Sequence, residues 1–172
     1  MKITERDKGQ IAAWYTLNGW FCTLTPAYSI DKIRVDFVKK GTNAKNSFSI
    51  YVDMDRFDIL CDDILSMRFK EKLNQDNKHD YPEAWRYVTG EDGSKELRIG
   101  FGRKNICIQG SDKKKEGCFG VVGIPSYDDL RIMAKDFRRT SAQAYAEKTR
   151  KCLEVAEGHR NNSQDQNNEP LY

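Results

Sequence analysis

Two arginines on alternating strands, each followed by a basic pair, are the residues whose types and spacing point to chemistry. Arg34 sits in Ile33-Arg34-Val35-Asp36-Phe37 and Arg98 in Leu97-Arg98-Ile99-Gly100-Phe101. Lys39-Lys40 follows the first stretch and Arg103-Lys104 the second. A lysine run, Lys113-Lys114-Lys115, comes soon after. Strand alternation turns both arginines away from their apolar neighbours. Tyr51, Trp85 and Tyr87 are expected on the same outward face. Cations neutralise phosphates and release counterions. Exposed aromatics stack on unpaired bases, worth on the order of 1–3 kcal/mol per base. The expected chemistry is capture of a single strand. Arg34, Lys39, Lys40, Arg98, Arg103, Lys104, Lys113, Lys114 and Lys115 would hold phosphates, and Tyr51, Trp85 and Tyr87 would stack bases.

Residues suited to turnover are scarce. His79 stands in a polar stretch and His159 near the end of the chain, neither beside a nucleophile. Gly100-Phe101-Gly102 begins like a phosphate-binding motif, but it lies inside an alternating strand and lacks the third glycine. It reads as room for close packing or for a ligand. Asp53, Asp55, Asp58, Asp62 and Asp63 raise the question of a divalent metal, and Asp58 and Asp62 share a helix face. Metal chemistry needs several oxygens converging on one point, and helix capping with solvent exposure explains these acids better. No catalytic residue, metal or cofactor is expected. A nuclease or other phosphate-processing enzyme using the Asp53–Asp63 acids is the third-ranked alternative, and magnesium-dependent cleavage abolished by Asp58→Ala would support it.

The body of the chain is basic and its end acidic. Net charge is +3, while the stretch from Ala156 holds Arg160 against Glu157, Asp165 and Glu169. A basic body permits a polyanionic partner. The 5 cysteines are scattered, with no CxxC, and read as reduced structural thiols in a cytoplasm. The charged N-terminus has no apolar signal core, and no apolar run is long enough to span a membrane.

The elements that must position these residues follow in order. Gly9–Tyr15 and Gly19–Thr25 read as strands around Leu17-Asn18-Gly19, a tight-turn signal. Lys32–Lys40 and Ser47–Val52 alternate as strands with one buried face. Phe57, Leu60, Cys61, Ile64 and Met67 then recur at helical spacing, with Asp53 or Asp55 as cap and an end near Leu73. Residues 74–83 form a polar linker. Strands follow at Ala84–Thr89, Glu96–Gly102, Asn105–Gln109 and Gly117–Val122, with a turn at Gly90-Glu91-Asp92-Gly93. Ser126 caps a helix with an inner stripe of Leu130, Met133, Ala134 and Phe137, running to about Val155. That helix should either break near Thr140-Ser141 or project to contact another subunit. The fold class is α+β. Two repeated halves, 9–73 and 84–155, make one domain, and 156–172 is a disordered tail. The repeat pairs Ile33-Arg34-Val35 with Leu97-Arg98-Ile99, Phe48 with Phe119, Phe57-Asp58 with Tyr127-Asp128, and Leu60 with Leu130. A tryptophan, Trp20 or Trp85, precedes each copy. The surplus length of the second copy fits the loop Gly110–Gly117.

This element order, with those paired positions, resembles the single-stranded nucleic-acid-binding folds of the Whirly and Pur-alpha type across about Ile11–Val155. The resemblance implies strands-then-helix repeats, binding of single-stranded DNA or RNA on sheet surfaces and edges, and frequent dimerisation. The Whirly lysine-rich strand signature is absent. The ending Asn167-Asn168-Glu169-Pro170-Leu171-Tyr172 loosely resembles the acidic tail tip of bacterial single-stranded-DNA-binding proteins, which implies a protein partner at the tail. The leading expectation is a non-enzymatic single-stranded DNA-binding homodimer, with RNA as a second ligand class. Arg98→Glu is expected to weaken binding and spare the fold. The alternative is a protein-interaction or scaffold module using the last helix and tail.

Overall fold

A computed structural model describes residues 10–15, 19–41, 46–76 and 82–166, with the backbone alone for Tyr15 and 161–166. The Leu17-Asn18 turn, His79 and the tail tip 167–172 lie outside the described residues. Strands β1 (Ala12–Tyr15), β2 (Trp20–Ala27), β3 (Lys32–Lys39) and β4 (Phe48–Asp53) form one antiparallel sheet in that order. Helices α1 (Met54–Leu65) and α2 (Arg68–Asp76) follow. Strands β5 (Trp85–Thr89), β6 (Lys95–Phe101), β7 (Ile106–Asp112) and β8 (Phe119–Gly123) form a second antiparallel sheet. Helix α3 (Tyr127–Gln166) ends the order. Two sheets, each followed by helix, are the α+β arrangement the alternation called for.

Contacts divide the chain into two compact units, Met1–Phe137 and Arg138–Tyr172. In the first, the inner faces of the sheets share one core. Cys22, Leu24, Val35, Phe37 and Ile50 come from the first sheet, and Leu97, Ile99, Ile108 and Val122 from the second. Strand β8 runs against β1 and β2, and β4 against β5 and β6. The floor under Phe37 is glycine. Gly110 and Gly120 are cross-strand partners, and a Cβ on either would fall inside the Phe37 ring's contact distance. Phe57 of α1 meets Phe137 of α3 edge-on, with ring centroids 5.0 Å apart. The Tyr127 hydroxyl donates to the Ile64 carbonyl at 2.8 Å, binding α3 to α1.

Three expectations are corrected. The first helix does not run unbroken to Leu73. It stops at Leu65, turns through Met67 at φ +67°, and restarts at Arg68. An unbroken helix would carry the Leu60/Ile64 stripe on to Arg68 and Glu71, both charged. The turn re-phases the chain so that Phe69 and Leu73 are buried instead. Asp53 precedes α1 but makes no side-chain cap. Its carboxylate is taken by Lys32 and by the Tyr87 hydroxyl. Third, the paired arginine stretches are not equivalent strands. Ile33–Phe37 lies in β3, the third strand of its sheet, and Leu97–Phe101 in β6, the second of its own. The pairings of Phe48 with Phe119 and Phe57 with Tyr127 do join matching elements, β4 with β8 and α1 with α3.

Ser126 caps α3 as its spacing requires, accepting from the Asp129 backbone N–H at 3.3 Å while its hydroxyl donates to the Asp129 carboxylate at 2.6 Å. The helix passes through Thr140-Ser141 without a break. It continues beyond Val155 to Gln166, so the first part of the expected tail is helical.

Candidate nucleic-acid interface

Strand register decides which side chains share a face. On the second sheet, Arg86, Arg98, Gln109 and Val121 form one cross-strand row, and Val88, Glu96, Ser111 and Phe119 the next. Both rows lie on the outer face, opposite Leu97, Ile99 and Ile108. Glu96 is 6% exposed and is the row's electrostatic centre. Arg86 donates its Nε to Glu96 at 2.6 Å, and Arg98 donates its Nε to the same oxygen. Arg98 reaches on to Glu83 at 3.4 Å. The Arg86 hydrogen bond, reinforced by Arg98 and opposed by burial, holds the Glu96 carboxyl below the usual carboxylate range. In the same row, two strands from Glu96, Phe119 is 53% exposed on the edge strand of its sheet.

The first sheet carries a parallel arrangement. Thr25, Arg34 and Tyr51 are cross-strand neighbours on its outer face. Arg34 donates to Asp36 at 2.8 Å, and the Ser49 hydroxyl also donates to Asp36. Tyr51 is among the exposed large side chains. Arg34 and Arg98 therefore stand on the outer faces of different sheets, whose inner faces meet at Phe37. The structure does not bring them onto one platform.

Trp85 and Tyr87 are on the wrong side for base stacking. Register places them with Ile99 and Leu97 on the inner face. Their rings stack on each other, 6.0 Å apart and 7° from parallel. The Tyr87 hydroxyl donates to the Asp53 carboxylate at 2.8 Å, which joins β5 to β4. Lys39 also falls on the inner-face register, opposite Trp20, with its ammonium 5.7 Å from that ring's centroid. Counting alternation outward from Arg34 would have placed it there.

The basic loops separate into two groups. Lys40 and Asn46 belong to the β3–β4 connection. The Cys118 thiol lies 3.8 Å from the Asn46 carbonyl, which brings the Lys113–Lys115 loop to that connection. The Lys113 N–H donates to the Ser94 carbonyl at 2.8 Å, and Lys114 pairs with Glu91. Lys113 and Lys115 are exposed and form no ion pair among the described residues. Arg103 and Lys104 lie in the β6–β7 turn, closed by the Gly102 N–H donating to Asn105 at 2.9 Å. Antiparallel pairing puts that turn at the other end of the sheet.

Gly100 has a packing reason. The carboxylate of Asp76, 4% exposed, sits where a Cβ on Gly100 would be. It accepts from the Phe101 N–H at 2.8 Å and the Glu83 N–H at 2.9 Å. Among the acids weighed for a metal, Asp63 is occupied by Arg68 and Lys72 at 2.9 and 2.6 Å. No cluster of metal-ligating side chains occurs among the described residues. Cys22, Cys61, Cys107 and Cys118 are buried free thiols, and burial pushes Cys107 up to about 11.

Sequence reasoning missed Arg86, Glu96 and Phe119 as parts of one face. The signal was available in the alternation of Trp85–Thr89, where Arg86 and Val88 are the outward pair. Fold and surface together define a class, an α+β protein of two strands-then-helix units with charged and aromatic outer sheet faces. The chain matches no protein-family model, no curated protein and no solved structure. No helix among the described residues is long and apolar enough to cross a membrane.

Proposed function

We propose that this chain binds single-stranded nucleic acid, DNA in the first instance with RNA as a second ligand class, without catalysis. The observation that carries the reading is Phe119. It is exposed on an edge strand, on the same outer face as Arg86 and Arg98, immediately after the Lys113–Lys115 loop. Stacking needs an aromatic in reach of solvent, and phosphate capture needs cations along the path of the strand. Arg98 and Arg86 stand two and three strands from Phe119, about 10 and 14 Å across the sheet at ~4.8 Å per strand. The element order, which is the one the Whirly and Pur-alpha resemblance implies, adds support. So do the free thiols, which suit a reducing cytoplasm. The proposed site is narrower than the sequence suggested: Phe119, Arg86 and Arg98 with Lys113, Lys114 and Lys115, extended at the same end by Lys40. Arg34 and Tyr51 would form a separate, second face.

Fluorescence anisotropy of labelled oligo-dT, a matched RNA strand and a duplex tests this. Tight binding to the single strands is expected, with Phe119→Ala losing about 10- to 100-fold, the equivalent of one lost stack. Duplex preference, or oligo-dT affinity unmoved by Phe119→Ala, would sink the proposed face. The rival reading is a protein-interaction module that uses α3 and the tail.

A further inference from the structure

The lysine run is held more firmly than a solvated loop requires, because the backbone N–H of each of its residues is engaged. The Lys113 N–H donates to the Ser94 carbonyl at 2.8 Å. The Lys114 N–H donates to the Asp112 carboxylate at 3.1 Å, and the Lys115 N–H to the Asp112 carbonyl at 3.2 Å. The loop closes over Asp112, whose own N–H donates to the Cys118 carbonyl at 2.9 Å, while the Cys118 N–H donates to the Lys115 carbonyl at 3.2 Å. Asp112 falls on the inner-face register with Ile108 and Gly110, and it is buried. Its second carboxylate oxygen lies 3.9 Å from the Lys95 ammonium, which donates to the Ser49 carbonyl of β4 at 2.9 Å. A buried carboxylate is costly unless hydrogen bonds and a counter-charge offset it. A carboxylate beneath a lysine cluster also weakens the field that draws in a polyanion. On charge alone, an acid at this place opposes phosphate capture.

We propose that Asp112 is a positioning residue of the phosphate site. It touches no ligand itself. It fixes the Lys113–Lys115 backbone, so that the ammonium groups are presented from one set turn next to Phe119. That role rests on the single-strand reading of this face and adds how the face is made ready for a strand. A loop ordered before binding does not lose its freedom when the strand arrives, and that saving appears as affinity. Asp112 therefore acts on binding in two opposite directions. Its charge lowers affinity for a polyanion, and its acceptor oxygen raises affinity by holding the Lys114 N–H. Lys95 offsets the charge from the other side and ties the root of the loop to the edge strand of the first sheet.

Two substitutions in the full chain separate position from charge. Asp112→Ala removes the charge and the acceptor together, whereas Asp112→Asn removes the charge and keeps a carbonyl oxygen in the same place. Anisotropy of labelled oligo-dT at one salt concentration measures both. Asp112→Ala should bind about 5- to 20-fold more weakly than wild type, against the direction that charge removal predicts. Asp112→Asn should bind at least as tightly as wild type. Amide exchange on the same samples reads the loop directly. The Lys114 N–H should be protected in wild type and Asp112→Asn and exchange freely in Asp112→Ala, while the β7 amides stay protected in all three. Tighter binding by folded Asp112→Ala overturns the proposal, and so does a folded Asp112→Asn as weak as Asp112→Ala. Should Asp112→Ala not fold, wild-type exchange decides, since a Lys114 N–H exchanging at the rate of an unstructured amide also overturns it. Wild type that does not bind oligo-dT removes the single-strand reading and this proposal together. Wild-type binding that Asp112→Ala strengthens removes the proposal alone.

Discussion

At the scale of single residues, the junction of the two sheets depends on missing side chains. Gly110 and Gly120 lie side by side under the Phe37 ring, and neither has a positive φ that would require glycine for its backbone. They are glycine because the ring takes the space. Gly110→Ala should therefore overpack the junction and cost about 1–3 kcal/mol. Urea midpoints would measure this, and Phe37→Leu in the Gly110→Ala background should recover part of the loss. An unchanged midpoint in the single variant would mean that Phe37 does not sit there. Residue-level chemistry was the least legible part of the sequence. Arg98 reads as a free cation on an outward face, and Arg98→Glu as a change that spares the fold. In the structure Arg98 supports the buried Glu96, so the charge reversal sets two carboxylates together. Stripping a buried ion of a partner costs about 3–5 kcal/mol, and Arg86 remains, so a loss near 3 kcal/mol is expected. Thermal unfolding of Arg98→Glu distinguishes the two views directly.

At the scale of elements, alternation, turn residues and helical spacing located every strand among the described residues and both helical regions. Alternation is cleanest in β3 and β4, which bury every second residue, whereas β2, β6 and β7 bury consecutive ones. These signals failed where a tertiary contact sets the boundary. The break at Met67 is one case, since the apolar residues on either side read as a single stripe until Arg68 and Glu71 are placed on the wheel. Asp76 is another. It looks like a linker residue but closes the end of α2 onto β6. Asp76→Ala leaves the Phe101 and Glu83 N–H groups without their acceptor, at a cost of about 1–3 kcal/mol. Amide exchange should show the Phe101 N–H losing protection ahead of the Ile99 N–H; equal protection in mutant and wild type would rule the clamp out. The Glu96 cluster gives the second sheet a pH signature. Its carboxyl is held low in the folded state, chiefly by Arg86, so its contribution is fully present above the unfolded carboxylate value of about 4.3. That contribution fades as pH falls through the lower folded value. Wild type should therefore lose more stability than Glu96→Gln between neutral pH and about pH 3. Parallel losses would separate Glu96 from the acid response.

At the scale of the whole molecule, the order of elements was legible and the way the sheets meet was not. Nothing in Phe37 or Gly110 says that they touch until the sheets are assembled. Once they are, the outward arginines belong to two faces rather than one. The Lys113–Lys115 loop is anchored at Ser94 and Cys118, so its charges stand at a fixed place beside Phe119. A cation that holds phosphate contributes to the salt dependence of binding, whereas one that only stabilises the fold does not. On single strands the slope of log affinity against log salt falls by about 0.7 for each phosphate contact removed. Lys113→Ala, Lys114→Ala and Lys115→Ala combined should therefore lower the slope by roughly 1–2, with Lys114 the weaker contributor because Glu91 already holds it. Phe119→Ala, in contrast, should lower affinity at every salt concentration and leave the slope unchanged. Should the triple variant keep the wild-type slope while Phe119→Ala loses affinity, the strand would have to run across the sheet toward Arg86 and Arg98 instead. The phosphate path would then cross the second sheet without reaching the lysine loop.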